Sequence, residues 1–159
     1  SAGGGRAPVS IAYGNAAAGL TAANVKAALD ELASTVQVST LHLGPFGSGS
    51  AVTVGNGTVG VAIPASMDGL NITAVTCTVH DKGITGTTDV QIRRRRAGTD
   101  VDVLTTKVTI GDEFFASDGV VNTSNDDLAE GDIIYADIDA IHSVTAPNGL
   151  SVAITASRA

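Results

Sequence analysis

The chain has 159 residues, a formal net charge of −7, 19 Gly, 3% aromatic residues, one Cys and no Trp. That size suits one domain with an appendage, and the wealth of Gly, Thr, Val, Ala and Ser favours a β-rich fold over a helical bundle or open α/β sheet. The acidic balance argues against nucleic acid or an anionic membrane as partner, and the lone cysteine excludes an intrachain disulfide.

Residues 1–19 are dense in Gly and Ala and read as an extended arm. Val9, Ile11 and Tyr13 alternate there like a short strand that could add to a neighbour's sheet edge, which makes them the candidate arm-docking residues. A basic start followed by an apolar block is missing, so no secretory signal is expected. No apolar stretch is long enough to cross a bilayer.

The segment from Gly19 to Ala33, GLTAANVKAALDELA, predicts a helix. Thr21 suits the N-cap, and Leu20 and Val25 have the spacing of a hydrophobic staple. Val25, Ala28, Leu29 and Leu32 recur at three- and four-residue steps on one face, away from Lys26, Asp30 and Glu31. So narrow a stripe is marginal for a lone helix in water. Three copies around an axis could cover one another, so Leu20, Val25, Ala28, Leu29 and Leu32 form a candidate interface of a homotrimer.

Residues 37–43 alternate as a first strand, and with the helix they make a docking or oligomerisation element over 20–43. Residues 44–50, GPFGSGS, read as a hinge. Short strands then follow at regular spacing, over 51–54, 58–63, 70–80, 88–96, 100–110, 119–122, 132–142 and 150–156. The expected fold is mainly β: a short arm and one α-helix, then an antiparallel β-sandwich of jelly-roll type over 51–159.

Four of the nine basic residues stand together in Arg93-Arg-Arg-Arg96. Such a run suggests nucleic acid, but the period of the sequence argues for structure. With Ala97-Gly98 as a two-residue turn, Arg95 faces Asp100 and Arg93 faces Asp102 on one side of a hairpin. Ile92 then lies opposite Val103, and Arg94 opposite Val101. These four charges are read as structural pairs, with an acidic partner subunit as the alternative.

The helix string, Gly-Leu-Thr-Ala-x-Asn-Val-x-Ala-Ala-Leu-Asp-Glu-Leu, resembles a segment of tailed-bacteriophage virion structural proteins of the capsid-decoration, head-fibre or tail-fibre type. The β region adds to the likeness through 63–73 (IPASMDGLNIT), 86–93, 101–110, 131–141 and 146–154. The resemblance implies a trimeric, β-structured virion protein that binds a phage capsid or tail protein, and it carries no catalytic residues.

Other sites are declined. Cys77 sits in an alternating run and reads as a small buried residue. His42, His80 and His142 are too scattered for a zinc site. The acidic stretch 124–132 lacks calcium-loop spacing and reads as a solvated loop. Asp137 and Asp139 share a strand face, yet sugar-cleaving sites usually add aromatic platforms that are scarce here. Neither a phosphate loop nor a nucleophile elbow is present. No catalytic, metal or cofactor site is therefore expected. The sequence favours a non-enzymatic bacteriophage virion subunit, made in the host bacterial cytoplasm, that decorates or cements the particle surface as a trimer. The alternative is a tail-fibre or head-fibre tip that binds a host-surface glycan.

Overall fold

The computed structural model describes residues 25–35, 37–44, 47 and 49–158. The arm with Val9, Ile11 and Tyr13, and Leu20 with the Thr21 cap, lie outside the described residues. The chain divides into two units between Gln37 and Val38. The first contains one described helix, α1 (Val25–Thr35). Lys26 and Asp30 form an ion pair of 2.5 Å one turn apart on it, while Val25, Leu29 and Leu32 are exposed. No described helix is long and apolar enough to cross a membrane.

The second unit is an antiparallel β-sandwich. Its strands are β1 (Val38–Leu43), β2 (Gly55–Ala62), β3 (Asn71–Thr78), β4 (Thr88–Arg96), β5 (Thr99–Asp102), β6 (Leu104–Thr106), β7 (Val108–Ile110), β8 (Ala116–Val121), β9 (Ile133–Ala140) and β10 (Ser151–Ser157). One sheet has the order β1-β10-β3-β8-β6, and the other has β2-β9-β4-β5 with β7 also on β4. Alternate residues from both sheets meet in one core: Val75, Cys77, Val152 and Ile154 on one side, Val90, Ile92, Ile134 and Ile138 on the other. Among the described residues no aromatic side chain belongs to that cluster. It rests on aliphatic burial, at about 1.5–3 kcal/mol for each fully buried Val, Leu or Ile.

Two boundaries differ from the sequence reading. β1 is a full edge strand of the sandwich, in register with β10 from Val38↔Ser157 to Leu43↔Val152, and Leu43 enters the core. The domain boundary therefore precedes 38, and the Gly/Ser-rich 44–50 segment connects one sheet to the other. Its end is tied down: Ser50 N–H donates to Gly47 O at 3.2 Å and Gly149 N–H to Ser50 O at 2.7 Å, and just beyond the segment Val52 N–H donates to Pro147 O at 2.9 Å. A Cβ on Gly149, itself at φ 66°, would come 2.5 Å from Gly47 N, so two backbones touch where a side chain would not fit. Residues 51–54 form no strand; Ala51 makes a single bridge to Asn148.

The run 100–110 is three strands and not one. β5 pairs with β4, β6 crosses to pair with β8 in the other sheet, and β7 returns to β4. Where the chain leaves, the buried Gln91 side chain replaces the missing ladder. Its Nε2 donates to Leu104 O at 3.2 Å, and its Oε1 accepts from Leu104 N–H at 3.3 Å and from Ile92 N–H at 2.9 Å. Gly119 of β8 lies beneath the crossing; a Cβ there would come 2.8 Å from Leu104 Cδ1.

Candidate functional site

The outer face of the second sheet carries the densest charge of the sandwich. Ala97 and Gly98, at φ 49° and 82°, supply the two left-handed positions of a type I′ turn. That turn sets Arg93 opposite Asp102, Arg94 opposite Val101 and Arg95 opposite Asp100. Arg95 binds Asp100 bidentately, with Nε and Nη2 each 2.8 Å from a carboxylate oxygen. Arg93 Nε lies 3.1 Å from Asp102 Oδ1 but out of line for a hydrogen bond, so that contact is an ion pair only. Its Nη1 reaches Asp137 on β9 at 3.5 Å. Farther along, Lys107 pairs with Asp139 at 2.7 Å.

Arg94 and Arg96 point to a different place. Arg94 is buried, and its Nη1 donates to Asp127 Oδ1 at 2.5 Å and to the Asp127 carbonyl. Arg96 holds Asp132 with two bonds, of 2.8 and 2.6 Å, and Asp127 with a third of 2.7 Å. At these two residues the acidic stretch 124–132 is also a carboxylate clamp on the hairpin: Asp132 is buried rather than solvated, while Asp127 stays exposed to solvent. The hydrogen bond from Arg94 holds the Asp127 carboxyl below its ordinary range, and the bonds from Arg96 do the same for Asp132.

Beside the outer charges lies a trough of about 460 Å³. Tyr135 and Asp137 of β9 form its floor, and Arg93 and Arg95 one wall. The other wall is the start of β2, where the pairing with β9 is irregular between Gly55 and Val59. There Gly57 N–H donates to Asp137 Oδ1 at 2.6 Å. Arg95 stacks over the Tyr135 ring, 5.5 Å from its centroid. Hydrogen bonds from Arg95 and then Tyr135 hold the Asp100 carboxyl down at about 2, while burial and Asp100 push the Tyr135 phenol up.

The turns near Gly83 carry an exposed apolar cluster that the sequence reading did not single out. Ile84, Phe114, Phe115 and Val144 are all exposed there. The turns are tied together by Glu113 N–H to Gly83 O at 3.2 Å and Val144 N–H to Ile84 O at 3.2 Å. Lys82 stands over the Phe115 ring, 5.2 Å from its centroid. The adjacent pair Phe114-Phe115, in a chain with only three Phe, was the signal available.

The remaining candidates are placed as follows. Val25, Leu29 and Leu32 are 47%, 59% and 47% exposed on α1, with Ala28 half-buried between them. Cys77 is buried, and burial pushes its thiol up to about 12, with Asp118 adding to the shift. His142 is buried, with Nδ1 3.0 Å from Thr88 Oγ1 and Nε2 3.2 Å from Gly111 O, while His80 is exposed beside Asp81. Among the described residues no group of three or more His, Cys, Asp or Glu side chains is arranged to hold a metal ion. Asp137 and Asp139 are each engaged by a cation, Arg93 and Lys107. Compared with known proteins, the chain matches no family model, no curated protein and no solved structure.

Proposed function

We propose that this chain is a non-enzymatic structural subunit of a bacteriophage particle, a homotrimer that decorates or cements the capsid surface. The observation that carries the reading is the α1 stripe: Val25, Leu29 and Leu32 lie exposed in a single chain. Covered by two symmetry mates, Leu29 and Leu32 would each contribute roughly 1.5–3 kcal/mol, and Ala28 would let the helices approach closely. The exposed cluster of Ile84, Phe114, Phe115 and Val144 offers a second surface suited to a shell protein. Strand order supports the jelly-roll type of sandwich. With β5–β7 counted as one interrupted strand, the sheets run first-eighth-third-sixth, with the middle piece of the fifth (β6) added at that edge, and second-seventh-fourth-fifth.

Light scattering tests the association. Wild type is expected as a trimer at micromolar concentration, and Leu29→Asp with Leu32→Asp as a monomer or weakened trimer. A wild-type monomer ends the trimer reading. Copy number in purified particles tests the location. Many copies per particle indicate the capsid, and few indicate a tail or head fibre.

A further inference from the structure

The trough on the outer face of the second sheet has the chemistry that hydroxyl groups need. We infer that it is a binding site for a neutral sugar ring, wherever on a particle the chain sits. Two guanidiniums, Arg93 and Arg95, and two carboxylates, Asp100 and Asp137, line it, so its formal charge sums to zero. Each guanidinium already has its carboxylate, Arg95 with Asp100 at 2.8 Å and Arg93 with Asp137 at 3.5 Å. A charged ligand meets no uncompensated charge and must break a pair to gain one. A hydroxyl both donates and accepts, so it can bridge the N–H edge and the carboxylate edge of one pair without separating them.

The shape agrees with the chemistry. A volume of about 460 Å³ falls within the range of small-molecule pockets, roughly 300–1,000 Å³. Gly60, opposite Tyr135 in the ladder, adds no side chain to the trough, and its backbone lies so close to the floor that a Cβ there would come 3.0 Å from Tyr135 Cβ and 3.1 Å from Ile134 O. Ile133, 42% exposed beside Tyr135, gives the apolar strip on which the C–H face of a sugar ring packs. Asn56 adds an exposed amide at the rim, with one more donor and one more acceptor. The ion pairs hold the guanidiniums in place before a ligand arrives, so little side-chain order is lost on binding.

Saturation-transfer NMR on the full chain tests this, with glucose, galactose, mannose and N-acetylglucosamine as neutral probes and glucose 6-phosphate as the charged comparator. Transfer to at least one neutral sugar is expected. Asn56→Ala should weaken it about tenfold, the weight of one hydrogen-bonding group. Ile133→Ser should weaken it as well, while Lys82→Ala, outside the trough, should not. Both test positions are exposed, so neither substitution opens the core. Transfer to no neutral sugar, transfer to the phosphate ester alone, or titration curves unchanged by Asn56→Ala and Ile133→Ser would each overturn the assignment.

Discussion

Arg95 and Asp100 face each other across the β4–β5 turn as a bidentate pair, with both nitrogen–oxygen distances 2.8 Å. Arg93, two residues back, is shared between Asp102 on β5 and the buried Asp137 on β9. The two arginines therefore respond differently to charge exchange. Arg95→Asp with Asp100→Arg restores the same pair in reverse and should melt close to wild type, whereas Arg95→Asp alone should melt well below it. Extending the exchange to Arg93 and Asp102 sets an aspartate against Asp137 and should undo the recovery. Thermal melts of the three variants check this; equal damage from the single and double changes at 95 and 100 would mean that the pair does not govern the hairpin.

The hairpin was legible because a two-residue turn with alternating residues on either side leaves one register, and every partner lies within a few positions. The carboxylate clamp was not legible, since Asp127 and Asp132 approach Arg94 and Arg96 from more than thirty residues away in sequence. The break in the run 100–110 did leave a mark. Val103 and Leu104 are both apolar and both buried, which violates period-two alternation and signals the crossing between sheets. What the sequence could not show was Gln91 closing the gap. The trough depends on Gly57 and Gly60 sitting over one tyrosine, a long-range pairing that local pattern does not encode.

The clamp should matter more to stability than the outer pairs. Asp127→Ala removes the carboxylate bonded to the buried Arg94 and leaves that guanidinium with backbone partners only. Bonds to a charged group contribute about 1.5–3 kcal/mol, and the half-exposed position of Asp127 argues for the lower end. Denaturant melts of Asp127→Ala beside Asp102→Ala should show the larger loss at 127. A loss at 102 equal to that at 127 would show that the buried guanidinium gains little from its carboxylate.

Two glycines should respond unequally to an added methyl group. At Gly83 a Cβ would come 2.3 Å from Cγ and Nδ1 of His142, a buried ring already held by Thr88 and the Gly111 carbonyl. At Gly119 the nearest atoms are farther off and are side-chain methyls, Leu104 Cδ1 at 2.8 Å and Val108 Cγ2 at 3.0 Å, both in the core. Gly83→Ala should lose about 1–3 kcal/mol as an overpacked site, and Gly119→Ala clearly less. Urea titrations of both decide, and a reversed order would mean that the His142 ring moves more freely than its two hydrogen bonds allow.

The depressed carboxyls make an acid limb predictable in sign. Arg95 and then Tyr135 bring Asp100 from an ordinary value of 3.8 down to about 2, and Arg94 and Arg96 lower Asp127 and Asp132 in the same direction. Above 3.8 these groups are ionised in both folded and unfolded chains, so their stabilisation is fully present. As pH falls below that value the unfolded chain takes up protons first, and stability drops until the folded groups titrate as well. For Asp100 the window runs from 3.8 to about 2. The melting temperature should therefore show no decline from these groups between pH 7 and 5, then fall steeply below pH 4. Asp100→Asn removes one contributor and should flatten that fall while lowering stability at neutral pH. Scanning calorimetry of both proteins across the acid range is the check. If Asp100→Asn kept the wild-type slope below pH 4, Asp100 would be titrating alike in the folded and unfolded chains, and its pairing with Arg95 would have no thermodynamic weight.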